Sequence, residues 1–336
     1  MPRRRIRMED LAEVCDTSVS TISRVLAGRP GVRPDLRERV ERAARDRGYA
    51  MAPPVAGRTA LLVASPAAMV DYARSQFTLH VLDGLRARAQ TLGLTLETRP
   101  ADRPLAELSV GLEDLAGVLL LSPDDDLIAQ AAGSTVPAVL VNADDPQMRL
   151  SSVAPCNRSA ARAATAALIA MGHRRIVFLT HPGRRTIHSR REGWADALAH
   201  AGLAGTSSAV IEAADWTPEA AATAVAARLD DSGLGATAIL AAGDSLAIGA
   251  LMALRRAGID VPGEVSVMGF DGLPQCELQS PPLSAVEIPM RAIGHVALDL
   301  LTEGQDGGRD LPPRRVELAC RLAWRGSTGP APDGGA

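Results

Sequence analysis

Between Met8 and Tyr49 apolar residues recur at intervals of three and four in three short runs. These are Leu11, Val14 and Cys15, then Val19, Ile22, Val25 and Leu26, then Leu36, Val40, Ala43 and Ala44. Each run falls on one face of a helix. Only Asp16-Thr17-Ser18 separates the first two, so those helices must cross steeply, and Ser18 is placed to cap the second. Pro30-Gly31-Val32-Arg33-Pro34-Asp35 makes the second break, where Pro34 or Asp35 opens the third helix. Val19, Ser20, Ser23 and Arg24 fall on or near the outward side of the second helix, opposite Ile22, Val25 and Leu26, and are small or Arg-tipped.

Residues 50–58 lack this period and contain Pro53-Pro54, as a linker would. Beyond them the pattern changes. Apolar runs at 60–64, 117–121, 138–141, 176–179, 238–241 and 265–269 alternate with helical stretches at 82–92, 159–171, 190–201, 218–230 and 245–257. A βα repeat of this kind predicts parallel sheets covered by helices. The Gly- and Pro-rich segment 327–336 is expected to be a disordered tail.

Composition sharpens the picture. A chain of 336 residues that is 46% apolar exceeds one compact domain. With aromatic residues at 2%, its core must be aliphatic, and an aromatic in a cleft is informative. All 36 basic residues are Arg, which excludes lysine-dependent chemistry and favours planar recognition of phosphate, carboxylate or base edges. Residues 1–58 hold 13 Arg against 8 Asp and Glu, net +5, on a chain whose formal charge is −3. A basic head on an acidic body suggests a polyanion for the head alone. Cys15, Cys156, Cys276 and Cys320 are widely spaced, with neither a metal-ligand pattern nor a CxxC pair, as suits a reducing cytoplasm. No apolar stretch suggests an export signal or a membrane span of about 20 residues.

The segment Ile6–Leu26 resembles the helix-turn-helix of the LacI/GalR family of bacterial transcriptional regulators, above all in Val19-Ser20-Thr21-Ile22-Ser23-Arg24-Val25-Leu26. The resemblance continues through Pro30-Gly31-Val32, Arg37-Glu38-Arg39-Val40 and Gly48-Tyr49. It then runs through Met171-Gly172-His173-Arg174-Arg175-Ile176, Gly269-Phe270-Asp271 and Ser280-Pro281-Pro282-Leu283 to about Arg325. It implies a small all-α helix-turn-helix head plus an α/β body made of two Rossmann-like subdomains of the periplasmic-binding-protein-like type. The head would span 1–49, the linker 50–58 and the body 59–326. Within the body, an N-subdomain would take about 59–153 plus 286–312, and a C-subdomain about 154–285 plus 313–326.

On that resemblance the protein is a homodimeric, cytoplasmic repressor. Its partners are pseudo-palindromic double-stranded operator DNA and a small-molecule effector, a sugar or sugar derivative, with no cofactor and no membrane. Val19, Ser20 and Arg24 would read bases, since an Arg bonds a guanine edge bidentately and an aliphatic group meets a thymine methyl. Ser18, Thr21 and Ser23 complete the DNA-binding set, Ser18 at the helix start where backbone N–H groups hold a phosphate. Two departures stand out. Asp16 replaces the usual turn glycine, a residue that tolerates positive φ. Pro53-Pro54 and the absence of Leu in 50–58 predict that the family's DNA-intercalating hinge helix is absent.

An open α/β sheet binds ligands beyond the carboxyl ends of its strands. That rule points to Ser65, His181, Asp244 and Asp271. The resemblance adds Arg190, Trp216 and Asn157, with Phe77 closing the cleft from the other lobe. Arg190 could instead pair with Glu192 or Asp196 on a helix surface, and Trp216 could be plain core. Gly243 stands where many relatives of the family have Asn. Arg184-Arg185 and Arg190-Arg191 raise two readings, an anionic effector or a basic surface loop. Gly243-Asp244-Ser245-Leu246 spells an esterase-like block, but it is mid-chain and no D-x-x-H follows to supply a base, so no enzyme is expected. Gly233-Leu234-Gly235 precedes a strand and cannot cradle a dinucleotide in the usual way. His173 is expected to cap the helix before it.

Overall fold

The structure is a computed structural model that describes residues 6–26, 31–47, 55–65, 72–112, 114–203, 210–303 and 311–332. The expected loss of the hinge helix at Pro53-Pro54 lies outside these residues. In the head, α1 (Met8–Val14), α2 (Val19–Leu26) and α3 (Pro34–Arg47) close on a small core. Leu11, Ile22, Val40 and Ala44 are fully buried in it, the positions that the three- and four-residue spacing selected. Truncating one such buried Leu or Ile to Ala costs about 2–5 kcal/mol. Asp16 turns the chain between α1 and α2 with φ 46°. Arg39 on α3 donates to the Cys15 carbonyl at 3.1 Å and ties the third helix to that turn.

The body begins with β1 (Thr59–Ala64), α4 (Tyr72–Leu92), β2 (Thr95–Pro100), the short α5 (Leu105–Leu108), β3 (Leu115–Leu121), α6 (Asp125–Ala132), β4 (Ala138–Val141) and β5 (Ser151–Pro155). The chain then crosses into a second lobe of α7 (Asn157–Ala170), β6 (Ile176–Thr180), α8 (Arg185–His200), β7 (Val210–Glu212), α9 (Pro218–Ser232), β8 (Ala238–Ala241), α10 (Asp244–Arg256), β9 (Ser266–Asp271) and β10 (Ser284–Glu287). It returns through α11 (Met290–Thr302) to β11 (Arg315–Leu318), then crosses again to β12 (Arg321–Ala323). The first sheet runs β11-β5-β4-β3-β1-β2 and the second β12-β10-β9-β8-β6-β7. Every pairing is parallel except β10 with β12. Central strands such as β3 and β8 are buried almost throughout, which is why they read as unbroken apolar runs.

Three crossings therefore join two Rossmann-like lobes, but two expectations need correction. The third crossing follows Leu318 instead of residue 312, because β11 pairs with β5 in the first lobe. Its alternation of exposed Arg315 and Glu317 with half-buried Val316 and Leu318 is that of an edge strand. The expected disordered tail is also packed as far as it is described. Ser327 is fully buried, its hydroxyl donating to the Val267 carbonyl at 2.6 Å while its own carbonyl accepts from Val267 N at 2.7 Å. Ala331 N donates to the Met171 carbonyl at 2.9 Å. A Gly- and Pro-rich segment stays in place when its backbone groups find partners. His173 takes part in this anchoring. Its ring is fully buried, with Nδ1 2.9 Å from Thr237 Oγ1 and Nε2 3.1 Å from the Gly329 carbonyl, and burial holds its pKa below the ordinary value. The neutral ring thus donates to Gly329 and accepts from Thr237; the helix cap comes from the His173 backbone N–H, which donates to the Leu168 carbonyl.

Candidate functional site

In the head, Ser18, Val19, Ser20, Ser23 and Arg24 are exposed and Thr21 is half-buried, while Ile22 and Val25 face the core. The hydroxyl of Ser18 accepts from Thr21 N at 3.1 Å, the contact of an N-cap with the third residue of its helix. The result is one face of small polar groups with Val19 at one end and Arg24 five residues further on, of a size that enters a major groove.

The second candidate site lies in the cleft between the lobes. Its floor is Arg190 on α8, a side chain only 5% exposed. Nε donates to Asn157 Oδ1 at 2.8 Å, Nη1 to the Ala242 carbonyl at 2.6 Å and to Asp271 Oδ1 at 3.1 Å, and Cζ lies 3.8 Å from the Phe270 ring centroid. The alternative surface pairing of Arg190 is taken by Arg158, which bonds Asp196 at 2.7 Å and approaches Glu192 at 3.4 Å. Gly193, one turn beyond Arg190, lets α8 press on α7: a Cβ there would fall 2.0 Å from the Arg158 carbonyl oxygen. The small residue thus sets how deep the guanidinium reaches.

Asp271 and Asp244 stand on the same floor. Asp271 ends β9 with φ 120°, a conformation that costs a non-glycine residue energy and turns its carboxylate onto Arg190. Burial pushes Asp271 above the ordinary carboxylate value and Arg190 opposes that rise. Asp244 opens α10 and is 99% buried, with Oδ2 accepting from Leu273 N at 2.7 Å. Burial pushes its carboxyl up to about 8, and the charge of Asp271 adds to the rise. Its Oδ1 is packed toward Gly269, where a Cβ would fall 2.5 Å from it, and the Cys276 thiol bonds the same carboxyl, whereas Oδ1 of the buried Asn142 across the cleft has no hydrogen-bond partner. Asp244 accepts from the Leu273 N–H and opens α10, so the esterase-like block is here a helix start.

These groups line a deep chamber with Phe77, Thr78, Ser122, Arg184, Thr186 and Trp216. Phe77 lines it from α4. Trp216 lines it too, edge-on to His181 at 5.7 Å and with Arg184 Cζ 5.4 Å from its ring centroid. A Cβ at Gly243 would come within 3.2 Å of Trp216 Cζ3 and 3.6 Å of Asp271 Oδ2, so the indole lies where a side chain would be. Two expected residues sit elsewhere. Asn157 is behind Arg190, with its amide spent on Arg190 and on the Pro155 carbonyl, so it positions the guanidinium. Ser65 lines an outer chamber nearer the cleft mouth.

The sequence reading missed Ser122 and Asn142. They are the first residues past the carboxyl ends of β3 and β4, the rule that had selected Ser65, and both adopt positive φ, 49° and 54°. Together with Asp271 they are three of the six non-glycine residues in that region among the described residues, and all three line the deep chamber. The basic run is paired: Arg185 bonds Asp125 at 2.8 Å across the cleft, and Arg191 lies 3.8 Å from Glu212. Among the described residues no group of His, Cys, Asp or Glu is placed to hold a metal ion, and no helix is long and apolar enough to cross a membrane. A guanidinium fixed on a carboxylate, an unsatisfied amide oxygen on the opposite wall and flanking aromatic rings are the equipment for a polyhydroxylated ring.

Comparison with known proteins agrees. A family model described as "Bacterial regulatory proteins, lacI family" matches residues 7–51, and one described as "Periplasmic binding protein-like domain" matches 165–328. The HTH-type transcriptional regulator reg1 of Streptomyces lividans is 31% identical, with 97% of each chain covered. The lactose operon repressor of Escherichia coli K12 is 26% identical over 95% of this chain and 91% of its own. A solved complex of the transcriptional regulator CelR with cellobiose superposes with a TM-score of 0.72 at 28% identity, covering 96% of this chain and all of that one. The chain belongs to the LacI family of bacterial regulatory proteins, DNA-binding transcriptional regulators that carry a periplasmic-binding-protein-like body.

Proposed function

We propose that the protein is a cytoplasmic homodimeric repressor, without enzymatic activity, whose hold on a pseudo-palindromic operator is set by a carbohydrate bound in the cleft. The observation that carries the effector reading is a chamber lined from both lobes, by Ser122 and Asn142 on one and by Arg190, Asp244 and Asp271 on the other, with Asn142 Oδ1 left without a hydrogen-bond partner. Each unsatisfied buried acceptor costs about 1–3 kcal/mol. A ligand that donates a hydroxyl to Asn142 while bonding the opposite wall removes that cost, and only when the lobes are closed on it. That difference between open and closed states is what a ligand needs to shift a population. Cellobiose in the CelR complex and the name of the lactose operon repressor support a sugar at this place and repression as the output.

On the DNA side, α2 enters the major groove with Arg24 toward a guanine edge and Val19 toward a thymine methyl, while Ser18 and Thr21 meet phosphate. One such helix reads too few base pairs for useful specificity, so two heads act together on two half-sites. Rotation of the lobes changes the separation of the heads and so couples the two ligands reciprocally. Selection of bound fragments from sheared source-genome DNA by the full-length protein at two salt concentrations tests this reading. A salt-sensitive enrichment of one pseudo-palindromic sequence is expected. Sequence-blind binding at both salts contradicts it.

A further inference from the structure

The deep chamber is small. Its cavity volume of about 60 Å³ is well below the roughly 300 Å³ at which small-molecule sites begin. It does not end there. Ser122, Asn142, Arg184 and Thr186 also line an outer chamber of about 540 Å³ between the start of α6 and the start of α8. Four shared residues make the two one continuous cleft, with Asn142 and its unpartnered Oδ1 at the junction.

We propose that the effector is an uncharged ligand of two sugar units, a disaccharide or its close equivalent, with one ring in the deep chamber over Trp216 and the other in the outer chamber. This rests on the carbohydrate reading above. The deep chamber selects the first ring through Arg190, Asp271, Asp244 and the two aromatic rings. Its connection past Asn142 and Arg184 leads the rest of the ligand into the outer chamber, which shares four lining residues with it, whereas the cavity of about 430 Å³ beside Gly272 and Pro289 shares only Asp271. That outer chamber is polar, with three carboxylates, Asp124, Asp125 and Asp144, against two guanidinium groups, Arg184 and Arg185. Arg185 is paired with Asp125 at 2.8 Å and lies 4.0 Å from Asp144, while Asp124 spends Oδ1 on Leu127 N as the cap of α6. Carboxylates already bonded to Arg185, Arg315 and the Leu127 N–H leave hydroxyls as the complementary chemistry, and the excess of one carboxylate over guanidinium groups in the lining disfavours an anionic ligand. Ala143 and the exposed His188 form opposite walls there, one from each lobe.

The test is calorimetric titration of the full-length protein with glucose, galactose, xylose and ribose, with cellobiose, maltose, lactose and xylobiose, and with gluconate and glucose 6-phosphate. At least one disaccharide should bind about ten-fold more tightly than any monosaccharide or acid. Ala143→Trp, which fills the outer chamber, should collapse that ratio toward one; His188→Trp, at an exposed position that folding tolerates, should lower it in the same direction. A monosaccharide that binds as tightly as every disaccharide overturns the two-unit proposal and leaves the carbohydrate reading intact. Preference for gluconate or glucose 6-phosphate overturns the uncharged ligand. If nothing in the panel binds, the carbohydrate reading falls and the proposal with it.

Discussion

The two walls of the cleft are built on different principles. On the second lobe, long side chains are buried and bonded to one another before any ligand arrives: Asn157 and Asp271 hold Arg190, and Leu273 N holds Asp244. On the first lobe the groups are short and are aimed by backbone conformation, Ser122 and Asn142 in the positive-φ region just past β3 and β4, with Asn142 Nδ2 3.3 Å from Ser122 Oγ. One wall is a preorganised floor, the other a set of contacts completed on closure. Ligand identity should therefore be decided by the second lobe, and the first should report that the cleft has shut.

The largest effect that sharpens this contrast is at the floor. Arg190→Ala removes one partner of a buried ion pair and should lower stability by about 3 kcal/mol and sugar affinity by about 100-fold, read by urea unfolding and calorimetry. Asp244→Asn comes next, and its mark is pH dependence. The folded carboxyl titrates near 8 and an unfolded one near 3.8. Between these values the folded state holds a proton that the unfolded state has lost, so wild-type stability falls as pH rises from about 4 to about 8 and levels off above. The asparagine variant should lose that part of the slope, which urea midpoints at pH 5, 7 and 8.5 will show. A hydroxyl donating to Asp244 favours its ionised form, so wild-type sugar affinity should climb as pH rises toward about 8.

On the first-lobe wall the effects should be smaller. Asn142→Ala removes an acceptor that nothing satisfies without ligand, so affinity should fall about ten-fold with little change in the unfolding midpoint. A large loss of stability there would erase the contrast between the walls. Arg185→Ala breaks an exposed pair that bridges the lobes and should weaken sugar binding by about two-fold, an effect that shrinks further at high salt.

Much of this fold was legible because the strands that form its centre are buried on both faces and read as apolar runs. Strands such as β2 and β11 escaped, since an edge strand alternates polar and apolar residues and β11 is mostly charged or half-exposed. The helix over 72–92 was foreseen only from residue 82, because its first turns carry little apolar period. In the site, Arg190, Asp271, Trp216 and Phe77, picked from the sequence, all line one chamber. Asn157 was assigned to the ligand because residue type does not tell a group that touches a ligand from one that holds its neighbour. Asn142 was missed because its fitness lies in a backbone angle and an unsatisfied oxygen, neither of which sequence spacing encodes.

The most direct test of the account is operator binding by wild type and Arg190→Ala, followed by fluorescence anisotropy on the selected operator as the tightest-binding sugar is added. Wild type should shift its operator affinity with sugar, whereas Arg190→Ala should bind the same operator within about two-fold and show no shift at any sugar concentration. An Arg190→Ala protein that still responds to sugar like wild type would contradict the assignment of the cleft floor as the effector sensor.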